Sequence, residues 1–404
     1  MKQHRFSKWS FVILTFAFLL LGFASQGPLQ FPSANPMDFT AGRVRIHVVP
    51  IATGLSHPWS LAFLPDGRLL VAEQAGRIRV IRNGVLDPQA VWSAPGITPT
   101  STDLLHGLDV HPKFAQNHLV YFSYPKSGPR GFTLAVARGK LEGATLTDVA
   151  DIFVADAWET SASLGLAGRI MFGPDNTLYV AVGDRDLLYG TNDNSGRMRA
   201  QALDTHIGKV LRIRDDGGVP NDNPFVGKAG VKPEIYTYGH RNTYGFAFQP
   251  MTGELWQAEI GPMGGDEVNI LSPGKNYGWP LVSMGRNYTG TLVSDQPWAR
   301  PGMENPRLFW VPSISPSSIM FYTGDKFPAW KGSLFVGALN GQQLVRVSFN
   351  QPSQAEPREA LLKELGARFR DVRQGPDGLI YAATEQRFGG TAADGTVLRI
   401  EPAN

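Results

Sequence analysis

Apolar and polar positions alternate over short runs along most of the chain, and turns interrupt the runs before a helical period can build up. The clearest phrase is residues 61–73, Leu-Ala-Phe-Leu-Pro-Asp-Gly-Arg-Leu-Leu-Val-Ala-Glu, followed by an apolar run over 76–81. Pro65 fixes φ and Gly67 tolerates a positive φ, so Pro-Asp-Gly closes a tight turn between two strands. The phrase of hairpin, turn and third strand recurs over 107–124 with 132–141, over 168–182 with 208–213, and over 244–260 with 266–271. Two more copies follow, 319–339 with 343–349 and 371–383 with 395–400.

Six hairpin-plus-strand units predict an all-β fold, a six-bladed β-propeller over residues 44–404. A ring must close, and the run 45–49 ahead of the first unit is the strand expected to complete the last blade. The longest segments between strands, 183–207 and 272–318, are rich in loop-forming residues and are expected to build one face. Pro-rich residues 26–43 are expected to form a disordered lead-in.

Composition changes the picture at the N-terminus. Lys2, Arg5 and Lys8 precede an apolar stretch over 11–23, and Ala24 and Ser25 follow it. This is the pattern of a signal peptide over 1–25, its apolar core shorter than the ~20 residues of a membrane span, with an uncleaved anchor over Trp9 to Ala24 as the alternative. Export to the periplasm or the extracellular space is expected, with no membrane span in the mature chain. Those three cations account for the whole net charge of +3, so the remainder has no electrostatic footprint for nucleic acid. The chain has no cysteine, which excludes disulfides and a lipid-modified cysteine.

The densest chemistry lies in Tyr238-Gly-His-Arg-Asn-Thr-Tyr-Gly-Phe246, in Glu259-Ile-Gly-Pro-Met-Gly-Gly-Asp-Glu-Val-Asn269 and in Gly274-Lys-Asn-Tyr-Gly-Trp-Pro280. Together with Pro58-Trp-Ser-Leu-Ala-Phe63 and Phe369-Arg-Asp-Val372, these phrases resemble the soluble aldose sugar dehydrogenases that use pyrroloquinoline quinone (PQQ). The resemblance implies a propeller with the quinone over a calcium ion on one face, oxidising an aldose at C1 by hydride transfer. Electrons would then pass to an acceptor such as a cytochrome. It also implies site residues: Arg241, Asn242, Arg368 and Arg370 for the cofactor, and Gly261, Pro262, Asp266 and Glu267 for calcium. Arginine forks suit the cofactor's carboxylates, and backbone carbonyls suit calcium.

Several positions depart from the family pattern. Where it carries a general-base histidine, this chain has Gly165, in Gly165-Leu-Ala-Gly-Arg169. A Gly165→His change is expected to return that base. Tyr244, Ile260 and Asn340 stand where the family has a Gln, a polar residue and a Lys, and the place of another family Gln falls at Thr102 or Asp103. His106, in Asp103-Leu-Leu-His-Gly107, is the substitute base that the sequence offers. The losses also admit an alternative, a non-catalytic propeller binding a carbohydrate, peptide or protein on the altered face. Outside the motifs, Asp184, Asp186, Asn192, Asp193 and Asn194 form either a cation loop or a set of Asx turns. His57, His111, His206 and His240 are expected to be structural. Trp279, Trp298 and Trp310 are candidates for stacking, with core packing expected of Trp279.

Overall fold

The computed structural model describes residues 36–95, 104–188, 190–351, 354–386 and 393–403; the signal sequence, Thr102 and Asp103 lie outside them. Six antiparallel sheets follow one another in chain order. Each begins with an inner strand: Pro58–Phe63, Leu108–Val110, Ala167–Phe172, Thr243–Phe248, Pro316–Phe321 and Arg368–Gln374. These strands contact one another in cyclic order, the last against the first, and so form the wall of a six-bladed propeller.

Val44–Leu55 pairs with Gly395–Pro402, Ile46 opposite Pro402 and Val49 opposite Arg399, so the N-terminal strand completes the C-terminal blade. One expectation needs correction. Part of the supposed lead-in is a strand, Met37–Ala41, paired with Val44–Leu55 through the turn at Gly42. Met37, Phe39 and Ala41 turn inward while Asp38 and Thr40 face solvent. That alternation gives the segment an apolar face, which a prolines-first reading of 26–43 overlooks.

Five inner strands carry a β-bulge near their start. A bulge puts two residues opposite one and turns the extra side chain out of the regular alternation. Here it places Trp59, Arg169, Tyr244, Ser317 and Arg370 at irregular positions around the axis. Arg169 is fully buried and ties the blades together. Its Nε donates to the carbonyl of Tyr244 at 2.6 Å, and one terminal nitrogen donates to the carbonyl of Ser317 at 3.1 Å. The other reaches Ser60 Oγ at 3.0 Å and Asp371 Oδ2 at 3.3 Å. Ser60 in turn bonds Leu108 of the second blade. The guanidinium also lies 4.4 Å from the Trp59 ring centre.

Burial pushes the Arg169 guanidinium down to about 10, with Asp371 opposing the shift, so it stays charged at neutral pH. Removing one member of a buried pair strands the other, a loss of about 3–5 kcal/mol. Arg169→Leu should therefore lower the free energy of urea unfolding by an amount of that order, and the midpoint with it. An unchanged midpoint would show that the ring does not depend on its axial cation.

Candidate functional site

The ring geometry decides which residues can meet. In a blade the start of the inner strand lies beside the end of the second strand, as the pairs Pro58–Glu73, Thr243–Glu259 and Arg368–Glu385 show. Arg241, Asn242, His106, Gly165, Arg368 and Arg370 all sit at or just before inner-strand starts, so they share one end of the ring. Gly261, Pro262 and Asn340 follow second strands and reach the same end. The sequence expectations thus converge on a single face.

Glu385 is a site residue that the motif reading missed. Its Oε1 accepts from Arg368 Nε at 3.0 Å and lies 2.7 Å from an Arg370 terminal nitrogen, while Oε2 lies 2.8 Å from His57 Nδ1. His57 is therefore part of the site and not only a structural histidine. Burial alone would raise Glu385, but His57, Arg370 and Arg368 outweigh it and hold it down to about 2. One carboxylate faces two guanidinium groups, which leaves positive charge over. The Nε of Arg370 is buried and has no hydrogen-bond partner among the described residues. The bulge at Arg370 makes this possible, since it turns that side chain to the carboxylate opposite Arg368.

The signal for Glu385 was present in the repeat. Second strands end Val-Ala-Glu73, Gln-Ala-Glu259 and Ala-Thr-Glu385, and each carboxylate reaches back to the start of its own inner strand. Glu73 accepts from Ser56 N at 2.7 Å, and Glu259 accepts from Arg241 N at 2.6 Å. Glu259 fixes the backbone at Arg241, whose side chain donates to the Ile260 carbonyl at 2.7 Å and lies 5.4 Å from the Trp279 ring centre. The amide oxygen of Asn242 is buried and unpartnered among the described residues.

Of the four calcium expectations, Asp266 has another task. It accepts from Gly261 N at 2.9 Å, from Ser313 Oγ at 2.9 Å, and from Ile314 N and Ser315 N at 2.7 and 2.9 Å. With its oxygens so engaged it shapes the Gly261-Pro262 turn instead of offering a ligand. Burial lifts it to about 6 against those donors. A Cβ at Gly261 would stand 2.2 Å from the Gly264 carbonyl, so only glycine fits that turn. Glu267 lies directly across from Glu259, with Asn269 Nδ2 bonded to both, at 3.2 and 3.1 Å. Burial, and then the charge of Glu259, push Glu267 well above the usual carboxylate range. Both line a small cavity with Arg241, Gly261 and Trp279.

Among the described residues no three His, Cys, Asp or Glu side chains form a metal-ligand cluster. The acidic loop after the third blade's second strand resolves as Asx turns, with Asp186 capping Leu188 N and Asp193 capping Ser195 N. Asn340 is exposed at the rim. His106 is buried, its Nδ1 3.2 Å from the Ala167 carbonyl and its ring against Trp59. His111, His206 and His240 pair with Asp215, Glu234 and Glu259. Trp279 is buried, as expected, while Trp298 is exposed.

The sequence pattern of the Glucose / Sorbosone dehydrogenase family matches residues 55–396. The chain belongs to that family. It is 34% identical over 369 residues to the aldose sugar dehydrogenase YliI of Escherichia coli (strain K12), covering 90% of this chain and 95% of that one. The apo crystal structure of the soluble aldose sugar dehydrogenase from Escherichia coli superposes with a TM-score of 0.79 at 34% identity, over 89% of this chain and all of that one. The PQQ-bound aldose sugar dehydrogenase from Streptomyces coelicolor superposes with a TM-score of 0.69 at 27% identity, over 92% and 99%. The backbone at position 165 is closely packed. Gly165 has φ +53°, and a Cβ there would meet Arg185 N and Asp184 Oδ1, both at 2.8 Å. The expected return of a base through Gly165→His meets an occupied space.

Two measurements check this geometry. Gly165→Ala forces a left-handed backbone on a residue with a Cβ, a cost of about 1–2 kcal/mol before any clash, and should lower the melting temperature. Glu385 contributes stability because its folded pKa lies below its unfolded one. That contribution is fully present above pH ~4.5 and is lost as pH falls toward 2. Unfolding titrations should show a steep acid-side loss in wild type that is shallower in Glu385→Gln.

Proposed function

We propose that this family member is an exported quinoprotein sugar dehydrogenase that oxidises an aldose at C1. The observation that carries this reading is the arginine pair on one carboxylate, with Arg370 Nε buried beside it and unpartnered among the described residues. A cluster with residual positive charge and a free donor suits an anionic, carboxylate-bearing ligand. Asn242, with its unpartnered oxygen, shares that face. The residues present therefore fit PQQ, which when bound supplies the hydride acceptor.

Arg368 and Arg370 would hold the cofactor's carboxylates, oriented by Glu385. Arg241 and Asn242 would fix its position from the fourth blade. The carbonyls of Gly261 and Pro262 would hold calcium, in a turn that Asp266 keeps in shape. A cation near Glu267 and Glu259 would relieve the repulsion of two carboxylates on adjoining strands. Electrons would leave for an acceptor such as a cytochrome. The rival, a non-catalytic binding propeller, draws on the closed space at Gly165 and the neutral Asn340.

Reconstitution tests the proposal. Mature protein with calcium should bind PQQ and reduce a dye in the presence of aldoses, and Arg370→Ala should weaken PQQ binding by ~1.5–3 kcal/mol. Calcium should raise the melting temperature, by ~2.7 kcal/mol of stabilisation at a hundredfold excess over its Kd, and a chelator should reverse it. Saturable sugar or peptide binding without any PQQ binding would favour the rival.

A further inference from the structure

Removing a hydride from C1 of an aldose requires that the C1 hydroxyl lose its proton, and position 165 offers no acceptor. The space in front of Gly165 is filled by another chemical group. Asp184 Oδ1 stands 2.8 Å from the point where a side chain at 165 would begin. The loop carrying Asp184 is pressed onto the 165 backbone: a Cβ at Gly183 would stand 1.9 Å from the Gly165 carbonyl. The same loop touches the cofactor-binding strand start, with Asp184 N donating to the Arg241 carbonyl at 2.8 Å. Asn242 Oδ1 lies 3.1 Å from where that Gly183 Cβ would stand. Asp184 is 3% exposed, and its Oδ2 accepts from Trp279 Nε1 at 2.9 Å.

We propose that Asp184 is the proton acceptor of this enzyme, its carboxylate occupying the place in which a base carried at position 165 would have to stand. The inference rests on the quinoprotein reading above. In the step, the C1 O–H bond breaks and its proton passes to Asp184. The C1–H bond breaks with its electron pair passing to the ortho-quinone, which is reduced. The new C1–O π bond leaves the aldose oxidised to its lactone.

The surroundings suit the task. Burial, against Arg241 and with Asp186, raises the Asp184 carboxyl to about 6, close to the range in which a base works best at neutral pH. The charged groups facing it are Arg241 from the fourth blade, and Asp186 and Arg185 from its own loop. Beyond these, Arg197 pairs with Asp186 at 2.7 Å and lies 5.7 Å from the Trp279 ring centre. Trp279 holds Oδ2, while Oδ1, which accepts one long bond from Asp186 N at 3.3 Å, faces Gly165.

Three measurements test the assignment. In quinone-free protein, infrared difference spectra should show a carboxyl C=O band that fades as pH rises through about 6 and is missing from Asp184→Asn. In PQQ-loaded protein, Asp184→Asn should lower kcat ~10²–10⁴-fold, remove the acid limb of the pH profile and leave PQQ affinity unchanged. Trp279→Phe takes a donor from the carboxylate and should move that limb to higher pH; this arm stands even if Asp184→Asn does not fold. Retention of the wild-type rate by Asp184→Asn, with loss in His106→Ala, would assign the proton to His106 and overturn the proposal. A missing infrared band, or a wild type that binds PQQ but oxidises no aldose, would overturn it as well. Failure to bind PQQ would remove the quinoprotein reading together with this one, and the binding titration separates that case from the others.

Discussion

A ring of blades leaves a hole, and what fills the hole decides whether the ring holds its shape. Here the centre is bridged by one guanidinium. Arg169 bonds to the first, fourth, fifth and sixth blades from its own place in the third, and Ser60 extends the connection to the second. A cation with several fixed donors can satisfy carbonyls and a carboxylate arriving from different directions, which an apolar plug cannot. Asp371 completes the arrangement, since its Oδ2 also accepts from Leu61 N at 2.8 Å and so joins the last blade to the first.

The functional face inherits its precision from that axis. Bulges place Trp59 and Tyr244 next to Arg169 and turn Arg370 to Glu385, and the ring contacts Trp59–His106 and Trp59–Tyr244 tie the floor of the face to the same centre. Above the floor, glutamates at the ends of second strands hold the backbone or cations at the starts of inner strands. The blades thus repeat one device: a buried acid at a strand end fixes its neighbour's polar group. Where two guanidinium groups share one acid, as at Glu385, the device leaves charge for a ligand. Where two acids meet, as at Glu259 and Glu267, it leaves room for a cation or a proton.

Gly165 does not face a void. The loop after Val182 lies in contact with the Gly165 backbone, and the Asp184 carboxylate stands beside the point where a side chain at 165 would begin. Glycines at 165 and 183 are what permit the contact, because either Cβ would collide with backbone atoms.

The alternation of apolar residues, the Pro-Asp-Gly turns and the sixfold recurrence were enough to determine an all-β propeller closed by its N-terminal strand, because strand pairing and turn chemistry are local and periodic. The motifs were also enough to choose the face, since the matching residues fall at inner-strand starts, after second strands or at a third-strand start, all at one end of a blade. Tertiary structure alone decided the rest. A bulge inserts one residue without changing the sequence pattern, so the aim of Arg169 and Arg370 could not be read from alternation. Asp266 was expected at a calcium site by resemblance, whereas most of its donors come from residues 313–315, nearly fifty positions away. The meeting of Asp184 with Gly165 and of His57 with Glu385 likewise depends on which strand ends adjoin across the ring, and that is fixed only when the ring closes.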